Sequence, residues 1–257
     1  MKKTIILASL LAFFLTAIVS QTADAQSLTI MVRPDKKSRE FKMSKMITDV
    51  INYRLMKAKV DAWEFLSAKA VADLNAMPAK SGDSAAELAA IPTKPDIYVE
   101  FKLVESNSAT QVTVSISICE QLRNKLLFAK LALSTPRDLK KPGERNRALM
   151  DAVEKALPSI VEHLKEYTQD LAKNGGWYRI TVENAPAGLM KKLQTRLNEF
   201  CGKAEQVEDN LRVYAQCMQA DFEVAGAIVK VFEAQAPKAE YDLTEKNGRK
   251  IAFKFKK

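Results

Sequence analysis

The sequence predicts an α+β protein of two domains, each a mixed or antiparallel sheet with amphipathic helices packed on one face. Apolar and polar side chains alternate at period two over three consecutive segments of residues 97–133, which is typical of half-buried strands. Apolar residues recur at helical spacing in several other segments. After residue 174 the pattern runs strand, helix, two strands, helix, two strands, which favours helices on one face of a mixed sheet.

The chain begins with a predicted secretory signal peptide. A charged start and an apolar run at residues 5–19 precede an Ala-Asp-Ala cleavage motif that ends at Ala25. The run is shorter than the ~20 residues of a membrane-spanning helix. We therefore expect residues 1–25 to be removed by cleavage between Ala25 and Gln26, giving a periplasmic or secreted protein. A lipoprotein needs a cysteine at the cleavage point, and since the first cysteine is Cys119 we expect no lipid anchor.

The predicted N-terminal domain covers residues 26–174. A short strand over residues 28–32 leads through a basic loop into an amphipathic helix, with Ser44 as its N-cap and its end near Lys59. Three shorter segments are predicted before the central sheet: a strand at 60–65, a helix at 67–76 and an exposed excursion at 79–94.

Three strands in residues 97–133 predict an antiparallel meander at the centre of this domain, with turn residues at 106–108 and 123–124. In the middle strand an apolar row alternates with short side chains. If a helix covers the apolar row, the short row faces solvent, the second domain or a partner. Partner docking is our hypothesis for three of these short residues: Thr113, Ser115 and Ser117.

The longest predicted helix runs from about Glu144 to Lys173, with an apolar stripe that fits the buried face of the meander. Pro158 lies inside it and removes a backbone donor, which predicts either a kink or two helices meeting near Leu157. The helix-stop signal Asn-Gly-Gly at 174–176 then precedes an alternating strand and predicts the domain boundary.

The predicted C-terminal domain covers residues 175–257. Its last two strands flank Asn247 and Gly248, a signal for a type I′ hairpin. Alternation and helical spacing predict the elements before this hairpin: a strand at 178–182, a helix at 189–200, a short strand at 205–208, a strand at 211–217 and a helix at 222–232.

The chain has three cysteines and no CxxC motif, which indicates neither a disulfide-dense scaffold nor a zinc site. Cys201 and Cys217 close a loop for which a disulfide contributes about 3 kcal/mol in the chain-entropy model. Export permits the bridge. Two interpretations stay open at this point, a disulfide or two buried free thiols. Cys119 is left over and is expected to be an inert small residue.

No catalytic motif is present, and we predict a protein that is not an enzyme and has no metal and no cofactor. His163 is the single histidine, so it lacks partner ligands at metal spacing and any nucleophile motif nearby. Glycine-rich phosphate loops are missing. The acidic pair Glu205 and Glu208 belongs to the kind of turn that is usually solvated. A hydrolase with an unrecognised site is the remaining enzymatic alternative.

A basic loop between the first strand and the first helix is the sharpest functional candidate. The formal net charge is +9, which suits anionic surfaces. A helix N-terminus also attracts anions. The loop is either solvated or a site for an anion or a partner. Its basic residues are Arg33, Lys36, Lys37, Arg39, Lys42 and Lys45. Aromatic residues do not interleave the basic runs, so nucleic acid is not an expected partner.

Three segments carry a family resemblance: LTIMVRP at 28–34, KPDIYVEFKL at 94–103 and NGGWYRITVEN at 174–184. With the signal peptide, they make the chain similar to uncharacterised secreted or periplasmic envelope proteins of Gram-negative bacteria. The first half also resembles the N-terminal domain of the Tol-system propeller protein and the curli-secretion lipoprotein. This resemblance implies docking to an envelope protein.

The predicted function is therefore a non-enzymatic exported module for protein binding or assembly. The alternative is a binder of anionic envelope polymer, such as a glycan, or of lipid headgroups, through the basic loop at residues 33–45.

Overall fold

A computed structural model describes residues 28–40, 42–58, 63–65, 95–104, 110–207, 211–247 and 249–256. These residues form four α-helices and two mixed five-stranded sheets with helices packed on them, so the predicted α+β class is confirmed. The predicted signal peptide, the helix at 67–76 and the excursion at 79–94 lie outside the described residues.

The first sheet has the strand order β2-β1-β3-β4-β5. Strand β1 runs parallel to both of its neighbours, whereas β3, β4 and β5 are antiparallel, which confirms the predicted meander. The strand bounds are Leu28–Pro34 for β1, Trp63–Phe65 for β2, Ile97–Val104 for β3, Thr113–Glu120 for β4 and Lys125–Leu133 for β5.

Two helices, α1 (Ser44–Lys57) and α2 (Glu144–Asn174), contribute their apolar stripes to the core of this sheet. Their buried side chains pack with the apolar row of β4, whose Ile116 is fully buried. Ser44 is not the N-cap, because helix α1 is capped by Met43. The Ser44 hydroxyl instead donates to the carbonyl of Ser38, in a 3₁₀ helix over Ser38–Glu40.

Helix α2 is continuous through Pro158, so the alternative of two helices is wrong. Buried side chains lie on both sides of the proline, at Val153, Ile160 and Leu164 among others. Both halves of the helix therefore pack into the same core. The proline costs one backbone hydrogen bond, and the packing of the long stripe offsets that loss.

The second sheet has the order β7-β8-β6-β10-β9, with β6 parallel to β10 and the other pairs antiparallel. The predicted order of strands and helices in this half is confirmed. The bounds are Gly176–Glu183 for β6, Leu189–Cys201 for α3, Lys203–Gln206 for β7, Arg212–Cys217 for β8, Asp221–Gln235 for α4, Tyr241–Asn247 for β9 and Lys250–Phe255 for β10.

Helix α2 passes the chain to the second sheet through Gly175, which has a φ of +81°. A Cβ atom there would lie 1.9 Å from the carbonyl oxygen of Cys217, so the position accepts glycine alone. The Gln216 side-chain amide donates to the Gly175 carbonyl at 3.2 Å and to the Asp170 carboxylate at 2.8 Å. Each sheet uses strands from one side of Gly175, and the division into two domains stays a prediction.

The two sheets also meet around Arg123, in the turn between β4 and β5. Its guanidinium carbon lies 3.6 Å from the centre of the Trp177 ring on β6. Arg123 is also ion-paired with Glu120, and both side chains are almost fully buried. A desolvated cation–π contact contributes about 2 kcal/mol. The pair therefore fixes the position of the β4–β5 turn against the second sheet.

Cys201 and Cys217 form a disulfide with a Cα–Cα distance of 4.4 Å. The bridge joins the last residue of α3 to the last residue of β8. Cys119 carries a free, half-buried thiol. Because Cys217 also faces Gly175, the bridge braces the point at which the chain enters the second sheet.

Replacing the bridge by Cys201→Ser with Cys217→Ser is expected to lower the free energy of unfolding by roughly 2–4 kcal/mol, because the bridge restricts the unfolded chain. Urea denaturation without reductant measures the loss. Cys119→Ser is the matched control and should cost less than about 1 kcal/mol. Equal stability of the double variant and the wild type would contradict the stabilising role of the bridge.

Candidate partner-binding face

The outer face of the first sheet points away from α1 and α2, which pack on its inner face. Strand register arranges the side chains of the outer face in four rows that run from β5 inward. The rows are Leu133–Thr113–Val104, Leu131–Ser115–Lys102, Ala129–Ser117–Glu100–Arg33 and Leu126–Cys119–Tyr98–Met31.

Strand β5 is an edge of the sheet, and three of its four outer side chains are large, apolar and exposed. The exposed fractions are 58% for Leu126, 59% for Leu131 and 50% for Leu133. The inner face of the same strand carries Phe128, Lys130 and Ala132. Edge strands usually carry charge or are covered, because their free backbone groups can pair with another strand. An edge with exposed leucines is therefore a candidate binding surface.

The three predicted partner-face residues lie next to these leucines. Ser115 pairs with Leu131 across β4 and β5, and Thr113 pairs with Leu133. Thr113 is buried, whereas Ser115 and Ser117 are half-buried. The Ser117 hydroxyl donates to the Glu100 carbonyl at 3.3 Å, so its polar atom is used within the sheet. The result is a flat strip of short side chains beside an apolar edge.

Arg33 lies at the opposite end of the outer face and not in the basic loop. It belongs to β1 and is 3% exposed. One terminal nitrogen lies 2.9 Å from the Glu100 carboxylate, and the guanidinium lies 4.1 Å from the centre of the Tyr98 ring. Its Nε and Nη1 atoms have no hydrogen-bond partner within the described residues. Arg33 is therefore a buried structural cation.

Burial also shifts the pKa values of two titratable neighbours of Arg33. It is the largest cause of the raised pKa of Tyr98, which is about 12, and it also raises the pKa of the Cys119 thiol. A thiol with a raised pKa carries little reactive thiolate at neutral pH. This end of the face is therefore suited to packing.

The lysines of the basic loop are all exposed and form no ion pair among the described residues: Lys36, Lys37, Lys42 and Lys45. Arg39 is half-buried, and its backbone amide donates to the Asp35 carbonyl at 3.1 Å. The Asp35 carboxylate accepts from the Ser38 amide at 2.8 Å. Three of the six predicted loop cations, Lys36, Lys37 and Lys42, therefore lie in a loop with defined hydrogen bonds, and Lys45 lies in the first turn of α1.

Other candidate sites are weaker. His163 stacks on Phe128 with ring centres 3.6 Å apart, and its Nδ1 lies 3.0 Å from the Ser159 carbonyl, so it has a packing role. In the described part of the chain, no three His, Cys, Asp or Glu side chains are placed to hold a metal ion. A cavity of about 700 Å³ between α1 and α2 mixes acidic and basic residues, including Glu154 and Arg54, which form an ion pair.

None of the helices in the described ranges is long and apolar enough to span a bilayer. No protein-family model matches the sequence, and no curated protein matches it.

Among solved structures, a hypothetical protein from Chlamydia trachomatis matches 56% of this chain and 98% of its own, with a TM-score of 0.33 and 13% identity. A lipoprotein from Neisseria meningitidis matches 49% of this chain and 94% of its own, with a TM-score of 0.31 and 14% identity. A protein from Xanthomonas campestris, of a family of unknown function, matches 55% of this chain and 83% of its own, with a TM-score of 0.30 and 9% identity.

The similarity to the Tol-system and curli-secretion modules stays a prediction.

Glu100→Gln is expected to lower the free energy of unfolding by roughly 2–3 kcal/mol, because it removes the anionic partner of the buried Arg33 guanidinium. Arg33→Met should cost less, since the Glu100 carboxylate is 30% exposed and can be solvated by water. Chemical denaturation of both variants gives the two values. Lys102→Met, an exposed neighbour on the same face, serves as the control. A larger loss for Arg33→Met would show that the arginine acts mainly through its ring contact.

Proposed function

We propose that the protein is a non-enzymatic exported module that binds a protein partner on the outer face of its first sheet. The observation that supports this proposal is the exposure of Leu126, Leu131 and Leu133 on the edge strand β5. Contiguous apolar side chains on a protein surface mark interaction sites. The strip of Ser115 and Ser117 beside them allows close approach of another backbone.

The partner segment best suited to this surface is an extended strand. A strand that adds to a sheet edge gains backbone hydrogen bonds, and alternate side chains of the sheet give specificity. Lys155 donates to the Leu133 carbonyl at 3.3 Å, which occupies one end of the edge. Pairing is therefore proposed for the stretch from Leu126 to Leu131, where apolar side chains of the partner would meet the exposed leucines.

An extracytoplasmic location fits both the predicted signal peptide and the Cys201–Cys217 disulfide. Disulfides persist in oxidising compartments such as the bacterial periplasm and are rare in the cytosol. We propose the cell envelope as the site of action, with an envelope protein as the partner.

A photoreactive amino acid at Leu131 is expected to give one cross-linked adduct of defined mass in intact cells. Ser115→Arg should abolish that adduct while leaving the fold intact, because a long charged side chain would stand in the strip beside β5. Circular dichroism checks the fold, and mass spectrometry identifies the partner.

The same photoreactive residue at Phe222 is the control, since that side chain is 63% exposed in the second half of the chain. An adduct that persists in the Ser115→Arg variant, or that forms equally from Phe222, would refute the proposed docking face.

A second candidate function is binding of an anionic envelope polymer or of lipid headgroups. The observation that favours it is the group of exposed lysines in the loop, none of which is ion-paired within the described residues. The negative charges of such a polymer or lipid surface would attract these lysines over about 10 Å at moderate ionic strength.

Lys36→Glu with Lys37→Glu is expected to weaken binding to an anionic polymer at least tenfold, because two attractive charges become repulsive. Binding of the wild type should also fall steeply as salt rises. Retention on immobilised heparin, as a model polyanion, measures both effects. Lys230→Glu with Lys238→Glu makes the same change in net charge on exposed residues of the second half. If both double variants lost heparin retention equally, net charge alone would explain the binding, and the loop would not be the binding site.

A further inference from the structure

We propose that helix α1 rests on the surface of an anionic lipid bilayer, with Met46, Tyr53 and Met56 in the headgroup region. This inference rests on the second candidate function and names lipid as its ligand. It assigns a role to the solvent side of a helix whose opposite side is part of the core.

The geometry of α1 places these three side chains on one ridge. Its buried residues are Ser44, Ile47, Thr48, Ile51 and Leu55. With about 3.6 residues per turn, Met46 and Tyr53 project opposite the middle of that buried stripe, and Met56 lies one turn from Tyr53. The exposed fractions are 40% for Met46 and 61% for both Tyr53 and Met56. These three apolar side chains, with the exposed Asp49 between Met46 and Tyr53, form the outermost line of the helix.

Lysines surround this ridge and provide the charge complementarity that an anionic surface needs. Lys45 and Lys57 lie on α1 beside the ridge and are exposed. Helix α1 has one acidic residue, Asp49, which is exposed on the ridge itself between Met46 and Tyr53. The loop that enters the helix adds three further exposed lysines: Lys36, Lys37 and Lys42. Each lysine close to an anionic membrane surface contributes attraction, and the contributions add over the cluster.

The combination of charge with large apolar side chains favours a lipid surface over a soluble polyanion. A helix with lysines on its flanks and apolar side chains on its outer line lies in the plane of the membrane interface. Tyrosine is enriched at the headgroup level because its ring is apolar and its hydroxyl is polar. The C–H face of a sugar ring can stack on one aromatic side chain such as Tyr53, but a hydrated glycan offers little apolar contact to Met46 and Met56. A ridge of three large apolar side chains therefore fits a lipid surface better than a glycan.

Sedimentation with vesicles tests this assignment. The wild-type protein is expected to sediment with vesicles of phosphatidylcholine containing one third phosphatidylglycerol, and not with phosphatidylcholine alone. Tyr53→Ser with Met56→Ser should lower the partition coefficient about tenfold, since two side chains lose their apolar contact. The same double variant should bind heparin as the wild type does.

The matched control is Phe222→Ser with Met218→Ser, which removes two side chains of similar exposure from the second half of the chain. Its partition coefficient should equal that of the wild type. Met46→Ser provides a smaller change on the ridge if the double variant of α1 does not fold.

The outcomes separate this inference from the function on which it rests. Equal vesicle binding by the wild type and the ridge variants would overturn the role of the ridge. Binding to heparin without binding to phosphatidylglycerol vesicles would overturn lipid as the ligand and leave the anion-binding function in place. If the wild type bound neither heparin nor these vesicles, both the lipid assignment and the anion-binding function would be overturned.

Discussion

One long helix determines how the first sheet is used. Helix α2 extends over 31 residues, and its stripe of buried side chains covers the inner face of β4 and β5. A helix can cover only one face of a sheet, so the alternate side chains of those strands remain on the other side. That geometry leaves Leu131 and Ser115 together on the outer face. The candidate docking surface is therefore exposed because α2 packs on the opposite face of the sheet.

The same helix positions the second half of the chain. It ends at Asn174, and the next residue, Gly175, approaches the Cys217 carbonyl too closely for any side chain. Gln216 links that glycine to Asp170 on α2, and the disulfide holds Cys217 to the end of α3. Hydrogen bonds, a covalent bridge and a steric limit thus converge at one point. They join the end of the long helix to the second sheet.

Charges that are neighbours in the sequence serve different purposes in the structure. Arg33 is withdrawn into β1, where Glu100 and Tyr98 balance its charge inside the protein. Lys36 and Lys37 follow three and four residues later in the chain and remain exposed. Burial of a charge requires a partner because desolvation is costly, whereas exposed lysines keep their attraction for external anions. The exposed lysines therefore carry the proposed attraction to anions, and Arg33 stabilises the sheet.

Local periodicity was sufficient to predict the order of strands and helices, the meander and the α+β class, because alternation and helical spacing are properties of short segments. It did not determine that β1 pairs between β2 and β3, or which side chains of β5 face outward, because both depend on contacts between distant segments. It also missed the burial of Arg33, since only the assembled sheet brings Glu100 beside it. Residue patterns alone therefore established the elements and the supply of charge. Which faces and which cations remain available to a partner depends on contacts that form only in the folded protein.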